Sequence, residues 1–438
     1  MNIDRKIMIL DPIADNIFTE LESEVRSYCR SFPAIFDSAK EHLMWDQDGR
    51  EFIDFFSGAG ALNYGHNNPR IKQAVINYLQ RNGIAHSLDL YTKAKRTFLT
   101  RFNQVILKPR NLDYKIQFPG PTGTNAVEAA LKLARKVTGR PSIMAFTNGF
   151  HGMTLGALSA TANSRKRLGG GVPLNYVTRV PFDKYFHGLD TIAYIEDLLK
   201  NSGSGVDLPA AFLVETVQGE GGLNVASTMW LKRLQSLANN LGILLIVDDI
   251  QAGCGRTGSF FSFEKAKLYP DLVCLSKSIS GIGLPMSLVL IQPKYDQWQP
   301  GEHNGTFRGN NLAFVAATSA LEFWDDESFE LAIQRKTKTL HTRLSTIAKR
   351  CPSLTAKVKG IGMMQGLQWS APEIAQFVSV AAFELGLIVE TCGSHDHVLK
   401  LLPPLTMDDV ALEQGLDLLD KAVESVTRKS DVQLLLLS

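Results

Sequence analysis

A lysine and an aspartate follow two apolar runs in the middle of the chain. Lys277 follows the run 272–275, and Asp248 follows the run 243–247. A lysine withdrawn from water has a lowered pKa, which makes its amine nucleophilic towards a carbonyl. A buried carboxylate needs a cationic partner, and a protonated ring nitrogen would serve, although a helix cap is the ordinary alternative. No histidines and cysteines cluster at ligand spacing in the sequence, so we predict no metal site.

The segment 119–126 combines glycine and threonine with the start of a predicted helix. Gly123 lets the backbone approach an anion, and the hydroxyl of Thr124 and the N–H groups of the helix start can then hold it. This interpretation is a phosphate site. A capped helix start explains the residues equally well, because Thr124 or Asn125 would also supply the cap.

Two further segments follow strand-like runs and carry groups suited to a bound ring or substrate. Phe150 lies between glycines, where an aromatic side chain is poor core material but a good stacking surface. The adjacent His151 fits a catalytic role or a structural, hydrogen-bonded one. Glu215 and Glu220 lie in a glycine-rich loop, where acids are either solvated or orient a substrate or a base.

Together these features match the requirements of pyridoxal 5'-phosphate. A lysine can form a Schiff base with the cofactor, and an aspartate can pair with its pyridinium nitrogen. An anion site fits the phosphate, and an aromatic side chain fits the ring face. Each feature is weak alone, but their joint occurrence in this order predicts this cofactor.

The segment Gly253–Gly258 fits the dinucleotide pattern G-x-G-x-x-G. That pattern binds NAD when its glycines begin a helix and an acid follows about 20 residues later. Here the glycines lead into the aromatic, loop-like segment 259–263, so we interpret them as a turn beside the active site. An NAD-dependent oxidoreductase is the alternative from another class, and a cofactor-bound regulatory or scaffold protein is a third.

The predicted elements place these residues at one edge of a sheet. Apolar runs without polar alternation are typical of strands buried on both faces of a mostly parallel sheet, and such sheets bind ligands at the carboxyl ends of their strands. The predicted strands are 115–118, 143–146, 211–214, 243–247, 272–275 and 288–291, and the predicted helices between and after them are 125–137, 228–241 and 311–325.

Both ends of the chain predict a smaller α+β domain. Apolar runs on either side of Asp48-Gly49 indicate a hairpin, and Asn68-Pro69 begins a helix to about Leu79. Strands are expected at 358–369, 387–390 and 398–402, and helices at 13–27, from about 330 to 350, at 373–385 and at 407–427, with a frayed tail at 428–438. We expect residues 1–65 and 326–438 to form the small domain, and residues 66–325 to form the large, cofactor-binding domain.

Composition excludes several classes of protein. The 438 residues carry a formal net charge of +2, without the basic excess typical of nucleic-acid binding. No apolar run reaches the roughly 18 residues of a membrane span, and the N-terminus does not fit a signal peptide. Five scattered cysteines indicate reduced thiols in a cytoplasmic protein. We therefore expect small-molecule partners, without nucleic acid or membrane.

Over almost its whole length the sequence resembles the class III, or ω-amino acid, aminotransferases of fold type I. The resemblance is most specific in Gly123–Ala130, Phe150–Gly152, Glu215–Gly221, Val247–Gly258 and Ser276-Lys277. It implies an α/β fold with a mostly parallel central sheet in a large domain, and a smaller α+β domain. It also implies a homo-oligomer, at least a dimer, whose active sites are shared between subunits.

Within this family the chain is most similar to the diaminobutyrate–2-oxoglutarate aminotransferases of ectoine biosynthesis. The likeness includes Gly58–Pro69, Gln117–Asn125, Val247–Gln251 and Pro300–Asn310. It implies amino transfer from L-glutamate to L-aspartate 4-semialdehyde, which gives 2-oxoglutarate and L-2,4-diaminobutyrate. Another ω-aminotransferase, acting on ornithine, 4-aminobutyrate or a related diamine, is the alternative, and the pathway is open between ectoine and siderophore or peptide synthesis.

The resemblance also implies roles for residues at matching positions. Lys277 would form the Schiff base and shuttle the proton, and Asp248 would pair with the pyridine nitrogen. Glu220 occupies the place of a gating glutamate in many relatives. The other cofactor contacts would come from Gly123 and Thr124 at the phosphate, Phe150 on the ring face, Gln251 at the ring hydroxyl, Glu215 near the ring, and Thr306 reaching the phosphate across a dimer interface.

Two departures from the family pattern concern the substrate carboxylate. Many relatives have an arginine where this chain has Met153, and another where it has Lys400. A lysine offers a point charge rather than the bidentate fork of an arginine. Carboxylate recognition is therefore expected to be rearranged, with Lys400 and Arg308 as the candidate residues.

Overall fold

A seven-stranded sheet forms the centre of the computed structural model, which describes residues 17–350 and 356–428. Leu288–Ile291 runs antiparallel to both of its neighbours, and the other six strands share one direction. The predicted α/β fold with a mostly parallel central sheet is therefore confirmed. In order across the sheet the strands are Lys115–Gln117, Leu288–Ile291, Leu272–Leu275, Leu244–Asp248, Ala211–Val214, Ile143–Phe146 and Val177–Val180.

The apolar runs form strands because each buries both of its faces. Successive side chains of a strand point to opposite faces of the sheet. Leu245 and Val247 accordingly belong to one hydrophobic cluster, and Leu244 and Ile246 belong to another on the opposite face. Residues at the end of such a strand are the first that reach solvent or a ligand.

Helices cover both faces of this sheet. Gly123–Thr138 contributes its apolar side chains to one cluster, and Thr228–Leu241 contributes to the other. The predicted helix 311–325 is shorter, because a 3₁₀ turn replaces it after Ala320. The other helices of this part of the chain are Ser57–Gly60, Pro69–Gln80, Lys93–Phe102, Leu155–Ala160, Ser164–Leu168 and Thr191–Lys200.

A four-stranded sheet joins the two ends of the chain. Leu43–Asp46 and Glu51–Asp54 form the hairpin predicted around Asp48-Gly49, with Phe36–Lys40 on its outer side. Leu387–Ile388 completes the sheet by pairing in parallel with Glu51–Asp54. The N-terminal region therefore takes part in the same sheet as a strand from the last quarter of the chain, as the predicted small domain requires, whereas the domain boundaries stay a prediction.

A second small sheet differs from the predicted pattern in two places. The predicted strand 358–369 is a hairpin, Lys357–Ile361 with Met364–Gln368, because Gly362 adopts a positive φ of 64° between them. The predicted strand 387–390 also divides, since its last residue begins a separate strand, Glu390–Cys392, in this second sheet. The remaining strand is Val398–Leu401, and the surrounding helices are Ser328–Arg350, Pro372–Glu384 and Asp409–Arg428.

Part of the N-terminal prediction and nearly all of the tail prediction fall outside the described residues. Within the described part, the predicted helix 13–27 is limited to Ile17–Leu21, and a short helix Tyr28–Ser31 follows it. Of the predicted tail 428–438, only Arg428 is described, and it is the last residue of the final helix, Asp409–Arg428. None of the described helices is both long and apolar enough to cross a membrane.

Candidate active site

A cavity of about 170 Å³ lies at the carboxyl ends of the central strands. All but three of the predicted site residues line it, although they come from five separate segments of the chain. These residues are Gly123, Thr124, Phe150, Glu215, Glu220, Asp248, Gln251 and Lys277. The three that do not line the cavity are Thr306, Arg308 and Lys400. We call this space the reaction cavity.

Lys277 begins a 3₁₀ turn directly after the strand Leu272–Leu275. Its Nζ donates a hydrogen bond of 2.7 Å to the carbonyl of Ala59. Burial lowers the pKa of Lys277, and the nearby carboxylate of Glu220 partly opposes this shift. The backbone of Lys277 has a φ of 52°, in a region that costs a non-glycine residue about 1–3 kcal/mol. The fold therefore holds a strained backbone at a residue whose amine has a lowered pKa.

Asp248 has a cationic partner that the sequence did not assign to it. Its Oδ2 lies 2.7 Å from Nδ1 of His151, and both side chains are buried. Burial would lower the pKa of His151, but the hydrogen bond and charge of Asp248 raise it above its ordinary value. Oδ1 of Asp248 accepts a hydrogen bond from the N–H of Ile250. The histidine thus holds the side chain of Asp248 at the cavity wall.

Glu215 is buried behind the predicted stacking residue. Its Oε1 accepts a 2.8 Å hydrogen bond from the N–H of Phe150. Burial raises the pKa of Glu215 to about 8, with the charge of Asp248 adding to the shift and His151 opposing it. Glu215 is therefore largely protonated at neutral pH and fixes the segment that carries Phe150.

Thr122 and Asn125 form the N-terminal cap of helix Gly123–Thr138. Oδ1 of Asn125 accepts hydrogen bonds from the N–H and the hydroxyl of Thr122, so these two residues form the cap. The hydroxyl of Thr124 instead lies 2.6 Å from that of Thr154. N–H groups in the first turn of a helix have no partner within it. Gly123 and Thr124, which line the reaction cavity, thus retain donors for an anion.

Gly123 packs closely against the side chain of Ile250. A Cβ atom there would lie 2.9 Å from Cδ1 of Ile250, which is too close for any larger residue without displacement. The backbone therefore borders the cavity directly, as a phosphate site needs.

Lys400 is fully buried outside the lining of the reaction cavity. Its Nζ lies 2.6 Å from Oε1 of Glu220 and 3.0 Å from Oε1 of Glu390. Burial would raise the pKa of Glu220, but Lys400 and Lys277 lower it to about 2. A substrate carboxylate would have to compete with two acids for Lys400, so its predicted role in carboxylate binding gains no support from this placement. Glu390 was not predicted, and the available signal was an acid within an otherwise apolar run.

The loop that contains Thr306 and Arg308 lies away from the reaction cavity. Thr306 is exposed, and its carbonyl accepts a hydrogen bond of 3.1 Å from Nε2 of His86. Arg308 donates to the carbonyl of Asn304 and lines a different cavity, beside Trp298. A single chain therefore does not bring these two residues to the site, and their assigned roles stay predictions.

The glycines of Gly253–Gly258 form a turn, as we interpreted them, and not the start of a helix. Arg256 within this turn is fully buried, and its Nη1 donates to the carbonyls of Met363 and Pro403. Its Nε donates to Oδ1 of Asn63. The segment therefore joins three parts of the chain, and it lacks the helix N-terminus that a dinucleotide requires.

The lining of the reaction cavity fits pyridoxal phosphate. Oε1 of Gln251 is buried without a hydrogen-bond partner, so a donor such as a ring hydroxyl is missing from its surroundings. Asp248 offers a carboxylate, and Lys277 offers an amine of lowered pKa. Within the described residues no three histidine, cysteine, aspartate or glutamate side chains are grouped as metal ligands.

Known proteins similar to this chain agree with this chemistry. Diaminobutyrate–2-oxoglutarate transaminase from Virgibacillus pantothenticus is 58% identical over 94% of this chain and 100% of its own length. The enzyme of that name from Nocardia farcinica is 55% identical over 94% of each chain.

Solved structures give the same fold. Ornithine aminotransferase from Toxoplasma gondii, in a structure that reveals partial occupancy of pyridoxal phosphate at its active site, has a TM-score of 0.82 and 25% identity over 94% of both chains. Taurine:2-oxoglutarate aminotransferase from Bifidobacterium kashiwanohense has a TM-score of 0.79 and 23% identity, covering 90% of this chain and 93% of its own. The profile of the family "Aminotransferase class-III" matches residues 26–423. The chain therefore belongs to the class III aminotransferases.

Proposed function

We propose that this protein is a pyridoxal-phosphate-dependent transaminase that converts L-glutamate and L-aspartate 4-semialdehyde into 2-oxoglutarate and L-2,4-diaminobutyrate. The observation that carries the chemistry is the pairing of a buried amine, Lys277, with a fixed carboxylate, Asp248, in one cavity. The choice of substrates is supported by the relatives at 54–58% identity, which are named diaminobutyrate–2-oxoglutarate transaminases.

The roles of the residues follow from their positions. When bound, pyridoxal phosphate supplies an aldehyde for the amine and a ring that stabilises negative charge on the substrate carbon. Lys277 would hold the aldehyde of the cofactor and, as an amine of lowered pKa, would move the proton at the reacting carbon. Asp248, held by His151, keeps the ring nitrogen protonated.

The other lining residues hold and orient the ring. Gly123 and Thr124 donate to the phosphate from the first turn of their helix, and Phe150 packs on the ring face. Gln251 meets the ring hydroxyl with the oxygen that has no other partner. Glu215 fixes Phe150 through its backbone N–H.

We further propose a homodimer in which Thr306 reaches the phosphate in the neighbouring subunit. This assignment is supported by the exposure of Thr306 on its own chain, away from its own cavity. A cytoplasmic location is supported by Cys254, Cys274 and Cys392, which are buried and unpaired. Supply of diaminobutyrate to ectoine biosynthesis rests on the sequence resemblance alone.

Incubation of the purified protein with L-glutamate and L-aspartate 4-semialdehyde tests the proposal. We expect equal amounts of 2-oxoglutarate and L-2,4-diaminobutyrate, measured by chromatography after derivatisation. In the reverse direction, ornithine and 4-aminobutyrate serve as competing donors with 2-oxoglutarate. A clear preference for either of them over diaminobutyrate would assign the protein to another ω-aminotransferase activity.

A further inference from the structure

Two carboxylates share one buried ammonium at the wall of the reaction cavity. Glu220, Glu390 and Lys400, here called the acid–lysine cluster, are joined by contacts of 2.6 and 3.0 Å to the single Nζ. Glu390 and Lys400 face each other across two antiparallel strands, so the backbone fixes this contact. Glu220 reaches the same ammonium from the glycine-rich loop.

The acid–lysine cluster has two carboxyl groups for a single ammonium. Oε1 of Glu390 is buried and, although close to Lys400, makes no hydrogen bond of acceptable geometry. Among the described residues, Lys400 is the only cation within ion-pair distance of either acid. A buried carboxylate without its own partner is unfavourable, and burial raises the pKa of Glu390 to about 7. The cluster therefore favours an additional cation.

Lys277 and Glu220, the nearer acid of the acid–lysine cluster, line the same cavity and are linked by hydrogen bonds. The carbonyl of Ala59 accepts hydrogen bonds from Nζ of Lys277, at 2.7 Å, and from Nε2 of Gln251, at 2.9 Å. The same Nε2 lies 3.2 Å from Oε1 of Glu220. Three hydrogen bonds in series thus connect the reacting amine to the nearer acid, Glu220.

The second acid, Glu390, borders an outer cavity that shares Glu220 with the reaction cavity. Glu220 lines the reaction cavity and also an outer cavity of about 580 Å³, which Glu390 and Tyr28 line with it. Lys166 borders this outer cavity too, with its ammonium 4.5 Å from the ring centroid of Phe150. A ligand in this position would meet carboxylates on one side and a positive charge on the other.

The proposed substrate carries a matching group. L-2,4-Diaminobutyrate reacts through the amine on C4 and bears an ammonium on C2 beside its carboxylate. 4-Aminobutyrate has the same carboxylate and the same reacting amine, but no group on C2. An ammonium held by two carboxylates makes charge-assisted hydrogen bonds, which are about twice as strong as neutral ones.

We propose that Glu390, together with Glu220, binds the C2 ammonium of L-2,4-diaminobutyrate and of L-aspartate 4-semialdehyde while C4 reacts. Lys166 lies where it can attract the adjacent carboxylate. Glu390 then distinguishes substrates with an amino group on C2 from those without one. This inference rests on the proposed function and names the group that sets its substrate selectivity.

Glu390→Gln tests the inference, because it removes the charge, keeps the shape of the side chain and leaves the Lys400–Glu220 ion pair in place. We compare kcat/KM for L-2,4-diaminobutyrate and for 4-aminobutyrate, each with 2-oxoglutarate as acceptor, in the holoenzyme. The ratio of the two values is expected to fall about 30-fold relative to the unmodified protein. Glu384→Gln, at an exposed position on the neighbouring helix, is the matched control and should keep the original ratio.

The outcomes separate this inference from the proposed function. A ratio that stays within twofold in Glu390→Gln would overturn the role of Glu390 and leave diaminobutyrate as the substrate. An unmodified protein that does not use diaminobutyrate would overturn both. If Glu390→Gln does not fold, Glu390→Asp is the second variant, because its shorter side chain keeps the charge but places it farther from the ligand. The ratio should then fall by a smaller factor. An unaltered ratio in Glu390→Asp would also contradict the inference.

Discussion

Two buried charged groups border the reaction cavity, and they differ in their balance. Asp248 and His151 form a pair of one carboxyl group and one imidazole, 2.7 Å apart. The acid–lysine cluster, Glu220, Glu390 and Lys400, has two carboxyl groups for one ammonium. The partners of the first group bond to each other, whereas the second group leaves Oε1 of Glu390 without a hydrogen bond.

The two groups therefore suit different tasks: the pair Asp248–His151 acts on a bound ring throughout, and the acid–lysine cluster acts when a ligand binds. Because Asp248 and His151 already bond to each other, we expect the pair to change little when substrate enters. It then presents a constant electrostatic field to a bound ring. An unbalanced cluster gains most when a cation arrives, so it favours the ligand that supplies one. Both groups influence Lys277, because the charges of Glu220, Glu390 and Asp248 all act on the pKa of its amine.

Lys277→Ala removes the amine that both groups influence and should have the largest effect. Turnover is expected to fall on the order of 10⁴-fold, since the variant can neither bind the aldehyde covalently nor move the proton. The visible absorbance of the lysine-bound cofactor should also disappear. Lys265→Ala, at an exposed position, is the control, and an active Lys277→Ala enzyme would refute the assignment.

Asp248→Ala breaks the balanced pair. The rate is expected to fall about 10²- to 10³-fold, because His151 does not replace the lost carboxylate at the ring nitrogen. Weak cofactor binding should persist through the phosphate and ring contacts, as measured by titration with pyridoxal phosphate. Full activity in this variant would mean that Asp248 has a structural role only.

Glu220→Gln tests the influence of the acid–lysine cluster on Lys277 through the pH dependence of cofactor capture. The pKa of Lys277 is lowered by burial and raised by Glu220, so removal of that carboxylate should lower it further. A neutral amine is needed to capture the aldehyde, and capture therefore accelerates as pH rises towards this pKa. The rising limb is therefore expected to move to lower pH.

Stopped-flow mixing of the apoenzyme with pyridoxal phosphate across neutral and alkaline pH measures this limb. Glu196→Gln, which removes an exposed acid from a remote helix, should leave the profile in place. A limb that shifts to higher pH would show that Glu220 does not support the charged form of Lys277.

Thr306→Ala should have the smallest effect. One hydrogen bond to a phosphate from a neighbouring subunit would contribute about 1.5–3 kcal/mol, so the affinity for pyridoxal phosphate should fall roughly tenfold or more. Equilibrium dialysis measures the affinity, with Thr346→Ala as the control on an exposed helix. An unaltered affinity would remove Thr306 from the proposed shared site.

Those site residues that occupy strand ends were predictable from the sequence. Lys277, Asp248 and Phe150 each follow a run of apolar residues, and a run without alternation leaves little choice of secondary structure. Parallel strands then bring their carboxyl ends to one edge, so residues distant in sequence meet there. The predicted hairpin at Asp48-Gly49 succeeded for a similar reason, since its turn chemistry is local.

Partners that depend on packing were not predictable. Nothing in the neighbourhood of His151 indicates that its ring meets Asp248, and the pairing of Glu390 with Lys400 needs the register of two strands. The run 387–390 appears as one strand because the sequence does not show that its end changes sheets. Tertiary context decides such cases, and a single sequence does not contain it.

The sheet that joins both ends of the chain has a consequence for biosynthesis. Arg50 donates a hydrogen bond to the carbonyl of Phe383, 333 residues further along, and Leu387–Ile388 pairs with Glu51–Asp54 beside it. At about 5–20 residues per second, a ribosome needs on the order of 20–60 s to supply the missing strand. Throughout that interval the nascent hairpin has an unpaired edge, which is a template for aggregation. The sheet is therefore completed only after Leu387–Ile388 has been synthesised, and until then its hairpin depends on other means of keeping that edge covered.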